Sequence, residues 1–195
     1  FNTIAGMEII PILPGDFRGE YSNCIKDNDL IIGVSQSGET KDLIDIFNDI
    51  DAKNLNVRKV VLVNNMNSTL GQEKSDVAIP ILCGPEIAVP ATKSFMNQIT
   101  LFYYLAIRTA QMKLNEIDTH FSTEQREKHQ QELDGYFHSL SKIPSLIKET
   151  LENVSGELDI MAGKLYMEPS IHILATKISG VAMEGALKIR ETVLT

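Results

Sequence analysis

An α/β fold, a parallel sheet flanked by helices, is what this chain predicts, and three observations predict it. Four short runs, "LIIGV" (30–34), "KVVLV" (59–63), "DVAIPI" (76–81) and "IHILA" (171–175), are continuous and rich in Val and Ile, as strands covered on both faces tend to be. Between the first two, Leu43, Ile46, Phe47 and Ile50 recur at helical spacing, with Asp42, Asp45 and Asp49 on the outer face. Strand, helix and strand in so short a span read as a βαβ unit.

The elements follow in order. "MEIIPILP" (7–14) reads as a further strand, with Pro11 suited to a sheet edge. Residues 30–34, the helical pattern from Leu43 to Ile50, and residues 59–63 make the βαβ unit, and 76–81 adds a strand. "ATKSFMNQITLFYYLAIRTAQMK" (91–113) is apolar nearly all round, the pattern of a well-buried helix. Beyond it the chain turns polar, and Ser122 followed by Gln125 reads as a capping box opening an exposed helix. A second helical stretch follows Pro144, with Leu146, Ile147 and Leu151 on one side. Residues 171–195 then repeat the order strand, Gly-containing break, helix.

Composition narrows the function. The 195 residues suffice for one core. A net charge of −8 argues against a general nucleic-acid binder, which needs a concentrated basic face. Every apolar run is cut short by a charge, Gly or Pro, so no bilayer-spanning helix or membrane partner is expected. Cys24 and Cys83 are too few for a disulfide framework or a zinc site, which suits a cytoplasmic protein. His120, His129, His138 and His172 lack ligand spacing, so no metal is expected. The first residue is Phe1 rather than Met, which points to a piece of a longer chain.

Candidate chemistry gathers in three stretches. "SQSGET" (35–40) lies where a strand meets a helix, the place where open α/β sheets bind ligands. A helix start there supplies unpaired N–H donors, Ser35, Ser37 and Thr40 add hydroxyls, and Gly38 admits a close approach. Ser37 as a plain N-cap with Thr40 in the first turn explains much of the same composition, so these residues alone leave cap and anion cradle open. In "CGPEIAVPATKSF" (83–95), Glu86 is a carboxylate near the same sheet edge. Lys93 stands at a helix start, where an acidic partner or a ligand explains it better than helix stability. In "MEGALKIRE" (183–191), Glu184, Lys188 and Glu191 share one helix face. They form either an ordinary ion pair or a general base with an ammonium beside it.

Together, "SQSGET", "GPEIAVPATKSF" and "EGALKIRE" resemble the sugar isomerase (SIS) domains of the glutamine–fructose-6-phosphate aminotransferase family, the glucosamine-6-phosphate synthases. "FNTIAG" and "NSTLGQEKSDVAI" extend the likeness over nearly the whole chain, while 114–165 matches only in helical character. The resemblance implies a SIS fold: a first domain over 1–113 lacking its first strand, a helical connector over 114–157, and the start of a second domain over 158–195. It implies that Ser35, Gln36, Ser37 and Thr40 hold a sugar phosphate, and that Glu86 and the backbone near Val89 contact the sugar. Glu191 becomes the base shuttling a proton between C1 and C2, with Lys188 beside it.

The implied activity belongs to a parent enzyme with a glutaminase domain. It makes glucosamine 6-phosphate from fructose 6-phosphate and glutamine-derived ammonia, without a cofactor, as a homodimer. Alternatives are a related phosphosugar deglycase or isomerase, or a non-catalytic phosphosugar sensor. Two departures stand out: Ala91 replaces the Ser that usually precedes the Thr-Lys pair, and "ATKISG" replaces a Gly-Arg-Gly-type turn. The resemblance places the family's ring-opening histidine and C-terminal lysine loop beyond Thr195.

Overall fold

A computed structural model of the chain describes residues 1–87, 90–116 and 121–193. Its elements, in order, are α1 (Asn2–Ala5), α2 (Pro14–Asp16), a π-helical turn (Phe17–Tyr21), β1 (Leu30–Ser35), α3 (Lys41–Ala52) and β2 (Arg58–Val63). A second π-helical turn (Leu70–Lys74), β3 (Val77–Pro80), α4 (Lys93–Asn115), α5 (Thr123–Leu165) and α6 (Ser179–Val193) complete them. The chain divides into two compact units, one of Phe1–Ile87 and Ala91–Leu105, the other of Ala88–Pro90 and Ala106–Thr195.

The first unit holds a three-stranded parallel sheet in the order β1-β2-β3. Leu30 to Ser35 pair in register with Arg58 to Val63, and Val60 to Val63 pair with Val77 to Pro80. β2 is central, with both edges paired, and the full burial of Val61, Leu62 and Val63 shows that its carboxyl half is covered on both faces. α3 crosses between β1 and β2 as its periodicity predicts. Ile46, Phe47 and Ile50 are buried and join Val57, Val61, Val63 and Leu70 in one core. Gly33 makes that contact possible, since a Cβ on it would lie 3.1 Å from the Phe47 ring. The acidic face of α3 is not left wholly to solvent, because Arg18 pairs with Asp49 at 3.0 Å and with Asp45 at 3.8 Å.

Two expected strands are absent among the described residues. Residues 7–13 are irregular: Pro11 can donate nothing to a ladder, and Pro14 instead takes the first position of α2, where its fixed φ suits a helix. Residues 171–175 are also irregular, with Ile171, Ile173 and Leu174 exposed. A strand exists only through a ladder partner, and none is bonded to this run. Apolar composition by itself does not supply one.

The helices follow their signals more closely. α4 covers the predicted stretch, but Met96, Tyr103 and Met112 on it are exposed, so its all-round apolar pattern does not translate into full burial. In the second unit, α5 opens with the predicted capping box. The Ser122 hydroxyl accepts from Gln125 N–H at 3.2 Å, and the Gln125 side chain accepts from Ser122 N–H at 2.9 Å. α5 then continues through Pro144 to Leu165 as one 43-residue helix, where the sequence suggests two stretches. Arg126 ties its start to α4 by donating to Leu114 O at 3.0 Å. No helix among the described residues is long and apolar enough to cross a membrane.

Candidate functional site

The carboxyl ends of β1, β2 and β3 each run into a loop, and these loops are bonded to one another. After β1, the buried Ser35 organises the turn: its hydroxyl accepts from Gly38 N–H at 2.9 Å and lies 2.6 Å from the Thr40 hydroxyl. Ser37 accepts from Glu39 N–H at 3.1 Å. Gly38 has φ 73°, and a Cβ on it would overlap Ser68, so only glycine fits.

α3 starts three residues later than the cap reading of this loop, with Ser37 as N-cap, requires. Its N-cap is Thr40, whose side chain makes no capping bond because it faces Ser35 instead. Leu43 N–H donates to Thr40 O at 3.1 Å, while the start of α3 keeps its partial positive charge without a side-chain acceptor. Ser37 and Thr40 are exposed beside it. Since Ser35 already accepts from Gly38, it can donate to Thr40, which frees the Thr40 proton for a ligand.

Asn64, which follows β2, links the loops. Its N–H donates to Gln36 O at 3.1 Å. Its amide donates to Gly84 O at 2.8 Å and accepts from Cys83 N–H at 3.1 Å. β3 is left through two residues of left-handed backbone, Leu82 (φ 59°) and Gly84 (φ 68°), which turn the chain toward the start of α4.

There Glu86 does work that the sequence reading did not give it. Its carboxylate caps α4, accepting from Thr92 N–H at 2.9 Å, Ser94 N–H at 3.2 Å and the Ser94 hydroxyl at 2.5 Å. Among the described residues Lys93 pairs with no carboxylate, and it donates to Pro85 O at 2.7 Å. Burial pushes the Glu86 carboxyl upward. The Ser94 hydroxyl and the N–H groups of Thr92, Ser94 and Lys93 outweigh it, holding the group at about 2 against an ordinary 4.5. A folded-state value below the unfolded one stabilises the fold at neutral pH, and that stability is lost as pH falls from about 4.5 toward 2. Glu86→Gln is therefore expected to cost about 1–2 kcal/mol at pH 7. In denaturant titrations the difference from the unmodified chain should narrow below pH 4.5 and vanish near pH 2.

The third stretch lies in the second unit. On α6, Lys188 Nζ is 2.9 Å from Glu191 and 3.1 Å from Glu184, with all three side chains about a quarter exposed. The bond to Glu191, opposed by desolvation and helped by Glu184, raises the Lys188 pKa. Lys188 thus stays an ammonium, and the proton acceptors of this face are its carboxylates. Val89 and His120 lie outside the described residues, of which none form a cluster of His, Cys, Asp and Glu able to hold a metal.

The structure thus brings Ser35, Gln36, Ser37, Thr40 and Glu86 to one edge of the first unit, and Lys188 and Glu191 to one face of α6. A family model described as SIS domain matches residues 1–108. This chain belongs to the SIS family. The glutamine–fructose-6-phosphate aminotransferase [isomerizing] of Aquifex aeolicus (strain VF5) is 33% identical over 189 residues, 96% of this SIS chain and 28% of its own length. That of Clostridium perfringens (strain 13 / Type A) is 32% identical over 168 residues, 86% and 25% of the respective lengths. The SIS chain thus spans about a quarter of the curated relatives it matches. The C-terminal domain of glucosamine-fructose-6-phosphate aminotransferase from Francisella tularensis shares its fold, with a TM-score of 0.79 at 24% identity over 97% of this chain and 49% of that one.

Sequence reasoning missed Asn64 and Ser68, which shape the loop without touching its open side. The signal was present: "NNMNST" (64–69) is a run of turn formers directly after a strand.

Proposed function

We propose that residues 35–40 bind the phosphate of a phosphorylated sugar, and that the chain is the isomerase part of an enzyme making glucosamine 6-phosphate from fructose 6-phosphate and glutamine-derived ammonia. The observation that carries the binding is the start of α3, left without a side-chain cap between the exposed hydroxyls of Ser37 and Thr40. Ser35 shapes the loop, and Gln36 is read as a further contact to the phosphate. In this reading Glu86 and the backbone near Val89 contact the sugar.

On α6, Glu191 takes the proton from one sugar carbon and returns it to the next, with Lys188 beside it. In this reading residues 1–113 are a first SIS domain, 114–157 a connector and 158–195 the start of a second. The glutaminase domain that supplies ammonia belongs to the same parent chain, and the working form is a homodimer in the cytoplasm.

Calorimetric titration with glucosamine 6-phosphate and with glucosamine tests the cradle. The phosphorylated sugar is expected to bind and the free sugar to bind far more weakly. Ser37→Ala and Thr40→Ala should each cost about 1.5–3 kcal/mol, roughly 10- to 100-fold in Kd, with the fold retained. Unchanged affinity in the double variant would show that the loop only shapes a helix start. Binding without turnover by the parent enzyme would favour a sensor.

A further inference from the structure

Glu39 places a negative charge inside a loop read as an anion cradle, and no role above uses it. Its carboxylate is turned out of the loop: Oε1 accepts from Thr69 N–H at 2.7 Å, thirty residues on. The same two segments meet at two further points, where Asn64 N–H donates to Gln36 O at 3.1 Å and Leu70 N–H donates to Gly38 O at 3.1 Å. Those two bonds join backbone to backbone and do not depend on the identity of a side chain. Gly38 also packs directly on the buried Ser68.

Among the described residues, Glu39 thus provides the side-chain bond from the loop to this turn, adjacent to Thr40. Thr69 holds the Glu39 carboxyl below the usual carboxylate range, so it stays an ionised, strong acceptor at neutral pH. A carboxylate free to swing would repel a phosphate at the start of α3. One fixed on Thr69 N–H holds Thr40 in place and keeps its own charge aside.

From this geometry we infer that Glu39 is a positioning residue, a clasp that joins the 35–40 loop to the turn at Ser68–Thr69 and keeps the loop shaped for a sugar phosphate. The inference rests on the reading of that loop as the phosphate site. Its test compares Glu39→Ala with Glu39→Gln in the full chain at pH 7.5. Both variants remove the charge, and only glutamine keeps an acceptor for Thr69 N–H.

Amide hydrogen exchange is expected to speed up at residues 36–40 and 69 in Glu39→Ala, while Glu39→Gln and the core amides of β1 and β2 stay protected. In titration, Glu39→Ala should bind glucosamine 6-phosphate about tenfold more weakly than Glu39→Gln. Glu39→Gln should bind at least as tightly as the unmodified chain. Equal exchange in the two variants overturns the clasp, and equal affinity with unequal exchange overturns its part in binding. If the unmodified chain binds no phosphosugar, the phosphate reading and the binding role of Glu39 both fall, and exchange alone judges the clasp.

Discussion

Gly38→Ala is expected to destabilise the first unit by about 3 kcal/mol or more, read as a fall in the urea midpoint with an unchanged slope. Two causes add. An L residue at φ 73° is strained, and its Cβ would lie 1.9 Å from Ser68 Oγ and 2.4 Å from Ser68 Cβ. Ser68 has no room to yield: it is 1% exposed, and its hydroxyl accepts from Gly71 N–H at 3.3 Å. Adding Ser68→Gly to the same chain removes both clashing atoms and should recover part of the loss, leaving the backbone strain. A Gly38→Ala chain as stable as its parent would contradict the described loop.

Glu191→Gln in the parent enzyme should lower phosphosugar isomerisation about 10²- to 10⁴-fold, the usual worth of a positioned general base. Glutamine keeps the shape and an acceptor for Lys188, now 2.9 Å from Glu191, but cannot take a proton. Phosphosugar affinity, measured separately, should fall little if, as proposed, residues 35–40 hold the phosphate. Undiminished isomerisation would remove Glu191 from the mechanism and leave the α6 face as an ion-pair cluster.

Legibility in the sequence followed how local each cause was. β1, α3 and β2 could be read because their periods of burial are set by residues close in the chain, and Ile46, Phe47 and Ile50 are buried as their spacing demands. The capping box at Ser122 and Gln125 is likewise local. Residues 171–175 failed because an apolar run states a preference for burial and names no partner for the ladder. Residues 7–14 failed because two prolines outweighed their apolar content. At the site, hydroxyls and a glycine marked the loop, but its cap-or-cradle ambiguity turned on one contact, Ser35 to Thr40, that composition could not show. Glu86 was legible as a carboxylate at the sheet edge and illegible as the cap of α4, since its partners become neighbours only after the chain has turned through Leu82 and Gly84.

The bonds that Asn64 makes to Gln36, Cys83 and Gly84 have an entropic consequence. Loops that would otherwise sample many shapes lose that freedom when the protein folds, rather than when a ligand arrives. A ligand reaching this edge therefore meets a preorganised mould, and its affinity is spared the ordering penalty that a mobile loop imposes. The same stiffness limits adaptation: a ligand of different shape must fit the mould as it stands or bind poorly.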